Sequence, residues 1–584
     1  MKKIIPILAI LALIFSPVTP AFAATYYWNT ASTIHWETGW SFNPVSGGAG
    51  AGFPDVADMA VFNQSAVNGW TGPQLWGNYA VAGMTIKNTG TTLIDSNSSP
   101  TRNLSIGTGG ITVDAGAGAV TIGWSDQPLN ITLAGAQAWT NNSSNILTIV
   151  NNIANGANLL TVAGSGDTAL NGVLGGGAGD LAKTDAGTLT LSGTNTYTGT
   201  TTITAGTLLT TKAAALPGYG SAGKVVFSGG TVGVRVGGGG WTTGEVDTLL
   251  TNATMTSGAL ALDTTNGGLT QWVAFTTANF GPALGLTKLG ANTLTLGQAN
   301  AYTGVTMLNA GTLNLGVAEV AGTSGPLGQS VAANPGSIVL NGGILQYSAS
   351  NQNDYSGRFS TAASQQYNVD TNGQNVAWAT GLTSPGGSLT KTGTGALTLS
   401  NTETYAGATT VSSGILAVNG DIRTSSLTTV QSGATIKGTG TTGALTVNGN
   451  LSPGNSPGTL SSVGTVTFAP GGAYIWEINN ATGAQGTNWD ALVITGALDI
   501  TATSGSRFAI DMTGLTLLNA VGVVPNFNKY LPYTWTIASA TAGITGFAAN
   551  KFTLDSSAFT NNNSISGSVS PGVLVSRLPA ITFS

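Results

Sequence analysis

The chain has 584 residues, of which only 7% are charged, and its formal net charge is −5. A single His and the absence of Cys exclude a disulfide framework, a thiolate metal site and a Cys nucleophile, and they leave Ser-His-Asp chemistry to His35 alone. Glycine is frequent (86 residues), hydrophobic residues make up 41%, and basic clusters are missing, so the composition predicts a large, neutral β protein that does not bind nucleic acid.

Residues 1–23 are predicted to form a secretory signal peptide. Lys2 and Lys3 provide a basic start, residues 4–15 are apolar, and Ala21-Phe22-Ala23 has the small-residue pattern of a cleavage site. A short membrane anchor is the alternative interpretation. No later apolar run has the length of a membrane-spanning helix, so the mature chain is expected to be exported without such a helix.

Residues 24–76 are rich in aromatic residues, among them Trp28, Trp36 and Trp40. One interpretation is a ligand-facing aromatic surface, since aromatic faces pack well against sugar rings. The other, which we prefer, is an N-terminal cap that covers the first coil of a repetitive body, because an open coil exposes unpaired backbone groups.

Three segments of the body, 181–209, 286–315 and 389–418, align with one another without gaps. In each segment a Lys is followed after 14 residues by a Tyr, and the Tyr after 9 residues by a Gly. Such self-similarity indicates a repeat architecture. The repeat-defining residues, for which we predict structural roles, are Lys183, Tyr197, Gly206, Lys288, Tyr302, Gly311, Lys391, Tyr405 and Gly414.

A shorter period lies inside each repeat, because an alternating Thr-Leu-Thr-Leu stretch returns after 19 residues, as from Leu189 to Leu208. Strands that recur at about this spacing, with Gly or Asn at the corners, are typical of a β-solenoid. We therefore predict an all-β solenoid over residues 77–464, with Leu side chains pointing inward, Thr side chains outward, and no helix.

The pattern changes near the C-terminal end. Residues 451–460 are dense in Ser, Pro and Gly, and the strands that follow are longer and more apolar. Residues 465–584 are accordingly predicted to form a C-terminal β cap or a small β domain.

With these motifs the chain resembles the autotransporter-associated β-strand repeat family, whose pattern of Lys, Gly, Leu, Asn, Tyr and Gly positions fits all three segments. The resemblance implies a right-handed parallel β-helix that a Gram-negative-type bacterium exports and displays at or beyond its surface, like a passenger domain; it implies no particular activity. Asp185 and Glu403 depart from the pattern, standing where Gly and Asn are expected. Residues 465–584 lack the regular alternation of a membrane β-barrel, so any outer-membrane anchoring is expected to use a partner.

Charged residues give little sign of chemistry. Asp55 and Asp58 are close in sequence, but turn and capping roles suit them better than catalysis. Glu477 and Asp490 lie on neighbouring predicted strands, where solvated strand ends are the simpler interpretation. The repeat lysines are expected to solvate one edge, with a basic ladder for acidic glycans as the alternative. We predict no catalytic, cofactor-binding or metal-binding residue.

The sequence thus favours a non-enzymatic, exported surface or secreted solenoid, an adhesin-like or extracellular-matrix scaffold that binds polysaccharide or its own copies weakly and multivalently. The alternative is a polysaccharide-degrading β-helix enzyme, a lyase or a glycosidase. That activity requires a cluster of carboxylate or basic side chains formed between coils.

Overall fold

A computed structural model describes residues 24–28, 34–37, 40–42, 52–63, 73–96, 100–276, 278, 284–329, 335–559, 569–573 and 579–583. The predicted signal peptide lies outside the described residues. Those residues form two compact units, one drawn from residues 1–231 and 252–254 and the other from residues 232–251 and 255–584.

The strands of the first unit are short, and their order follows the chain. They are β1 (Thr25–Trp28), β2 (Ile34–His35), β3 (Trp40–Phe42), β4 (Met59–Phe62), β5 (Pro73–Leu75), β6 (Tyr79–Ile86), β7 (Thr92–Ser96), β8 (Arg102–Val113), β9 (Val120–Ile122), β10 (Leu129–Leu133), β11 (Gln137–Asn141), β12 (Leu147–Ile149), β13 (Ile153–Ala154), β14 (Leu160–Ala163), β15 (Thr168–Leu170), β16 (Leu174–Gly175), β17 (Leu181–Lys183), β18 (Thr188–Leu191), β19 (Thr201–Ile203), β20 (Thr207–Thr210) and β21 (Val225–Arg235), which begins in this unit.

These strands pair in parallel with strands one coil away rather than with their neighbours in sequence. One stack runs β11–β14–β17–β19–β21, a second β9–β12–β15–β18–β20, and a third β10–β13–β16. The chain therefore winds as a parallel β-helix with stacked coils, as predicted. Near the N-terminal end, β1 pairs in parallel with β4 but antiparallel with β3.

The second unit contains a helix, α1 (Thr243–Asn252), and the remaining strands. They are β22 (Thr254–Asp263), β23 (Leu269–Thr270), β24 (Leu284–Leu289), β25 (Thr293–Leu296), β26 (Thr306–Leu308), β27 (Thr312–Leu315), β28 (Ile338–Leu340), β29 (Ile344–Gln346), β30 (Gln366–Asp370), β31 (Val376–Trp378), β32 (Ser388–Thr392), β33 (Ala396–Leu399), β34 (Thr409–Val411), β35 (Ile415–Val418), β36 (Asp421–Ile422), β37 (Thr428–Val430), β38 (Thr435–Gly438), β39 (Thr441–Thr442), β40 (Leu445–Val447), β41 (Asn450–Pro453), β42 (Thr459–Ser462), β43 (Val466–Phe468), β44 (Ala473–Ile478), β45 (Ala491–Ile494), β46 (Leu498–Ile500), β47 (Phe508–Gly514), β48 (Trp535–Ala540), β49 (Ile544–Thr545), β50 (Phe552–Ala558), β51 (Val569–Val573) and β52 (Pro579–Phe583). Short 3₁₀ turns occur at Ala213–Ala215 in the first unit and at Ser356–Arg358 and Ala549–Lys551 in the second.

In the second unit β22, β24, β26 and β28 form one parallel stack, and three further long sheets carry the remaining strands. They have 12, 8 and 7 strands and run from β23 to β49, from β31 to β50, and from β36 to the antiparallel pair β51 and β52. No change of sheet marks the predicted boundary at residue 465, because β43, β44 and β45 continue the three stacks in parallel register. Strands β43–β50 therefore continue the parallel coils, whereas β52 pairs antiparallel with both β48 and β51.

The prediction that Leu side chains point inward and Thr side chains outward is confirmed. In β18, Leu189 and Leu191 are buried while Thr188 and Thr190 are half-buried, and the same alternation occurs in β25 and β33. Leu189 lies in register with Leu208, which is the 19-residue return read from the sequence. Stacked leucines of successive coils thus form the core.

The prediction of no helix is wrong at α1. Thr242 and Glu245 form a reciprocal capping box: the backbone N–H of Thr242 donates to Glu245 Oε2 at 2.8 Å, and the backbone N–H of Glu245 donates to Thr242 Oγ1 at 3.3 Å. Val246, Leu249 and Leu250 are buried along one side of the helix. The Thr-x-x-Glu spacing followed by apolar residues was the sequence signal for this helix.

Candidate functional site

The three repeat lysines lie in the interior of their coils. Lys183, Lys288 and Lys391 are at most 1% exposed and stand at or near the ends of β17, β24 and β32. The expectation that they solvate an outer edge, or form a basic ladder for acidic glycans, is therefore wrong. Alternation along the strand places these side chains on the same inward face as the leucines.

Backbone carbonyl groups of the corners receive each buried ammonium group. Lys288 Nζ donates to the carbonyl oxygens of Leu289, Gly290 and Ala310 at 2.7, 2.7 and 3.1 Å, and Lys391 Nζ donates to those of Thr392, Gly393 and Ser413 at 2.8, 2.9 and 3.2 Å. Lys183 Nζ likewise donates to the carbonyls of Thr184 and Asp185. Burial lowers the pKa of each lysine to about 8, so the ammonium form still predominates at neutral pH. Lys288 and Lys391 thus link one corner to the next, an arrangement that we call the lysine staple, whereas Lys183 binds carbonyl groups of its own corner.

The glycine of each repeat has a left-handed backbone conformation, and in two repeats it lies against the lysine ammonium group. Gly206, Gly311 and Gly414 have φ values of 64°, 61° and 68°, a region that suits Gly because it has no Cβ. A Cβ on Gly206 would lie 2.8 Å from Lys183 Nζ, and one on Gly414 would lie 2.9 Å from Lys391 Nζ. The shared Lys-to-Gly spacing of 23 residues is thus the length of chain that returns to this contact.

The repeat tyrosines form hydrogen bonds at another corner of each coil. Their hydroxyl groups share a hydrogen bond with the hydroxyl of the Thr four residues later, at 2.6 to 2.7 Å, in the pairs Tyr197 with Thr201, Tyr302 with Thr306, and Tyr405 with Thr409. Each Tyr is at most 1% exposed. Burial raises the pKa of Tyr302 to about 12 and those of the other two tyrosines further. The repeat lysines and tyrosines are thus interior residues that form hydrogen bonds within and between the coils.

Asp185 and Glu403, the two departures from the repeat pattern, differ in consequence. Asp185 takes a φ of 57°, close to the 74° and 73° of Gly290 and Gly393 at the equivalent positions, and its Oδ2 accepts a hydrogen bond from the backbone N–H of Gly164 at 2.9 Å. Asp tolerates this backbone region better than most residues. Asp185 therefore keeps the backbone conformation that Gly has at the equivalent positions of the other repeats.

Glu403 occupies the position that Asn195 and Asn300 hold in the other repeats. Both asparagines bridge coils: each side-chain oxygen accepts a backbone N–H, and each amide nitrogen donates to the carbonyl of Ala215 or Pro326. Glu403 Oε2 accepts the N–H of Leu382, but Oε1 is buried without a partner, and burial raises the pKa of this carboxyl to about 7. A carboxylate cannot supply the donor half of the bridge.

The predicted ligand-facing aromatics separate into two groups. Trp28 and Trp36 are fully buried, and the ring of Trp36 stacks on Tyr79 with centroids 5.9 Å apart. Trp40 lies in β3, opposite Trp28 in the antiparallel ladder, but its side chain lies outside the described part of the structure. The burial of Trp28 and Trp36 favours the capping interpretation.

Asp55 and Asp58 serve a turn, as the simpler interpretation held. The Ala57 N–H donates to Asp55 Oδ1 at 2.9 Å, and the Asp55 N–H donates to Asp58 Oδ2 at 3.1 Å. His35 contacts Trp76 edge-on, with ring centroids 4.0 Å apart. Neither arrangement brings a nucleophile and a base together.

Asp490 is not the solvated residue expected at a strand end. It is fully buried, and its carboxylate accepts the backbone N–H groups of Gly458 and Glu477 at 2.8 and 3.0 Å. Burial raises the pKa of this carboxyl to about 8. Asp490 therefore ties three chain segments together instead of pairing with the Glu477 carboxyl group.

The outer face of the second unit carries a feature that the sequence analysis missed. One position of the 12-stranded sheet is a Thr in five successive coils, and every one of these side chains is half-buried with its face outward: Thr390, Thr410, Thr429, Thr446 and Thr467. Parallel strands lie about 4.8 Å apart, so this threonine column is a regular row of hydroxyl groups. The Thr-Thr-Val triplets of β34 and β37 were the available signal.

These observations define a parallel β-solenoid whose repeat residues are interior and whose outer face is neutral and polar. Within it, residues 181–209, 286–315 and 389–418 match the model of the family described as Passenger-associated-transport-repeat. The resemblance read from the sequence is thereby confirmed for these three segments.

Two named proteins are similar to parts of the chain. The "Extracellular serine protease" of Serratia marcescens is 30% identical over 173 residues, which are 29% of this chain and 15% of that protein. The "Adhesin BmaC autotransporter" of Brucella suis biovar 1 (strain 1330) is 30% identical over 247 residues, which are 40% of this chain and 7% of that protein. The chain is therefore an autotransporter passenger-like repeat protein that spans a small part of these relatives. One of these relatives is named as an adhesin and the other as a protease.

None of the helices in the described residues is long and apolar enough to cross a membrane. Among the same residues, no group of three or more His, Asp or Glu side chains is placed to hold a metal ion.

Proposed function

We propose that the chain is an exported, non-enzymatic passenger-type scaffold, adhesin-like or part of an extracellular matrix, whose outer face binds polysaccharide weakly at many equivalent positions. The observation that carries this proposal is the threonine column, because it repeats one hydrogen-bonding group at the period of the coils. Neutral hydroxyl groups suit the hydroxyl groups of a glycan, and repetition converts weak contacts into avidity. Self-association through the same face is the second arm of this proposal.

Isosteric substitution tests the threonine column. Thr410→Val, Thr429→Val and Thr446→Val combined remove three hydroxyl groups and keep the β-branched shape that suits a strand. We expect at least a tenfold loss of retention on immobilised polysaccharides, with an unchanged circular dichroism spectrum. The matched control replaces Thr121, Thr148 and Thr190, half-buried threonines of the first unit, in the same way.

The control should retain wild-type binding. Wild-type retention by both triple variants would refute the role of the column, and loss of retention by both would assign binding to threonine-rich surface in general. Sedimentation of the same variants without polysaccharide tests self-association.

The protease relative favours a second candidate function, that of an exported enzyme. The polysaccharide-degrading β-helix enzyme considered from the sequence is a candidate of this kind. Soluble sugar or peptide released in the binding wells would support it, whereas retention without release supports the scaffold.

We further propose that the protein is displayed at the outer surface of a Gram-negative-type cell, and that any outer-membrane anchoring depends on a partner. Surface protease shaving and fractionation of the expressing cells test that placement.

A further inference from the structure

The segment between β47 and β48 projects apolar side chains into solvent. Six of them are more than half exposed, with Leu518 at 92% and Tyr530 at 81%. Single exposed apolar residues are ordinary on protein surfaces, but six in one short segment are not. We call this group the apolar tip; it consists of Leu517, Leu518, Val521, Val523, Tyr530 and Leu531.

The first half of the tip is a tight hairpin. Leu515 and Val521 form an antiparallel bridge, and the backbone N–H of Thr516 donates to the carbonyl of Ala520 at 2.8 Å. Asn519 turns the chain with a φ of 59°, which Asn tolerates well. Leu517 and Leu518 are thus held outward by defined hydrogen bonds.

The second half is fixed by aromatic stacking and hydrogen bonds. The ring of Tyr533 lies between Phe527 and Trp535, with centroids 5.2 Å from each. The backbone N–H of Asn528 donates to the Tyr533 hydroxyl oxygen at 2.8 Å, and the Tyr533 hydroxyl donates to the carbonyl of Asn526 at 3.1 Å. Tyr530 and Leu531 therefore protrude from an ordered turn.

Both halves rest on the same strip of the second unit. Asn479 Nδ2 donates to Asn519 Oδ1 at 2.7 Å, and Asn526 Nδ2 donates to Asn480 Oδ1 at 3.0 Å. Since residues 479 and 480 are adjacent, the hairpin and the turn stand side by side. The six exposed apolar side chains accordingly belong to one surface.

The chain around the tip carries cations and no acidic residue. Although the chain carries a net −5, the sequence contains no Asp or Glu between Asp511 and Asp555, while Lys529 and Lys551 fall within that stretch. Lys529 Nζ lies 5.0 Å from the ring centroid of Tyr530, and Lys551 Nζ is bound to the carbonyls of Ile500 and Gly546. The tip thus combines aliphatic side chains, one amphipathic Tyr and one adjacent cation.

We propose that the apolar tip inserts into the surface of a lipid bilayer and prefers anionic lipid. Protruding aliphatic side chains enter the boundary between headgroups and acyl chains, Tyr suits the interface, and Lys reaches the phosphate groups. Protein-binding surfaces are instead enriched in Trp, Tyr, Phe, Met and Arg around a central buried patch, whereas the tip is mostly aliphatic and projects on two turns. A second copy of the chain is the competing occupant.

Vesicle flotation with the full chain tests the proposal. The vesicles are pure phosphatidylcholine, or phosphatidylcholine with a third of phosphatidylglycerol. We expect flotation with the anionic vesicles, a reduction of at least tenfold for the Leu517→Asn and Leu518→Asn double variant, and a several-fold loss of anionic preference for Lys529→Gln. The matched control is Val463→Asn with Val493→Asn, which alters two exposed valines of the same unit outside the tip.

All these side chains are exposed, so the variants should keep the wild-type melting temperature and circular dichroism spectrum. Absence of flotation by the wild type, or equal flotation by the tip and control variants, would overturn the proposal. Sedimentation that showed a dimer lost in the tip variant, without vesicle binding, would overturn it in favour of a second copy. Polysaccharide binding by the tip variant separates this result from the proposed scaffold function, which does not depend on the tip.

Discussion

Replacing Glu403 by Gln should stabilise its coil, and the gain should depend on pH. The Glu403 side chain is fully buried, Oε2 accepts the N–H of Leu382, and Oε1 has no partner. Gln keeps the acceptor and offers an N–H₂ group in place of Oε1, as Asn195 and Asn300 do in the other repeats.

The magnitude follows from the pKa of the Glu403 carboxyl. Burial raises this pKa from 4.5 to about 7, and each unit corresponds to about 1.4 kcal/mol, so ionisation costs the folded state about 3 kcal/mol. Below pH 4.5 the carboxyl is neutral in both folded and unfolded states, and the cost is absent. The cost grows as pH rises from 4.5 to 7, because the unfolded chain ionises first, and it is complete above pH 7.

Urea unfolding at pH 4.5, 6 and 8, followed by hydrogen exchange of peptides from residues 382–424, measures this difference locally. We expect the variant to exceed the wild type by about 3 kcal/mol at pH 8 and by less than about 1 kcal/mol at pH 4.5. Other buried acids, such as Asp490, contribute equally to both proteins and cancel. Glu37→Gln, at a half-exposed glutamate of the other unit, is the control and should shift stability by less than about 0.5 kcal/mol. A difference independent of pH, or a destabilised variant at pH 8, would refute the reasoning.

Three further substitutions test the interior of the repeats, each by the same peptide-resolved unfolding. Lys391→Met leaves three carbonyl groups without their hydrogen-bond donor, at a cost of about 1–3 kcal/mol each. Removal of the buried charge returns about 3 kcal/mol, so we expect a net loss of unfolding free energy of about 3 kcal/mol. An unchanged unfolding free energy would contradict the role of Lys391 in linking the corners. Tyr302→Phe removes one buried hydrogen bond and leaves the Thr306 hydroxyl without this partner, so we expect a loss of unfolding free energy of about 1–2 kcal/mol. An unchanged unfolding free energy would show that this hydrogen bond does not stabilise the coil. Asp185→Gly should change the unfolding free energy by less than about 1 kcal/mol, whereas Asp185→Ala should cost about 1–2 kcal/mol more because Ala is strained at a positive φ. Equal effects of the two substitutions would show that the positive φ does not determine the residue at this position.

The alternation of Thr and Leu and the 19-residue return were sufficient to predict the coils, because inward leucines must stack in register to be buried. Sequence reasoning failed where rare charge was taken as a sign of the surface. Lys391 is buried because three carbonyl oxygens of a corner replace its water, an arrangement that depends on coil geometry and cannot be read from a linear pattern. Trp36 was ambiguous for a related reason, since an aromatic ring suits an interior as well as a sugar.

The threonine column and the apolar tip were missed because each is a property of neighbours in space. Thr410 and Thr429 become one row only when coils of unequal length are stacked, and Leu518 and Tyr530 become one surface only when two turns rest on the same strip. Thr242 and Glu245, in contrast, gave a local signal for α1 that the scarcity of helical periodicity obscured.

The placement of the repeat residues limits what the family match implies about function. The shared Lys, Leu and Tyr side chains are interior, whereas outward positions are shared only in part: Thr190, Thr295 and Thr398 are identical in the three repeats, but the equivalent Thr202, Met307 and Thr410 differ, and all six are half-buried. A match carried by Lys, Tyr and Gly therefore reports how the coil is held together and does not by itself identify what the protein binds or whether it is an enzyme. The binding functions proposed above therefore depend on outward positions and on segments outside the coils. For this chain those are the threonine column and the apolar tip, and the variants that separate them also separate glycan binding from lipid binding.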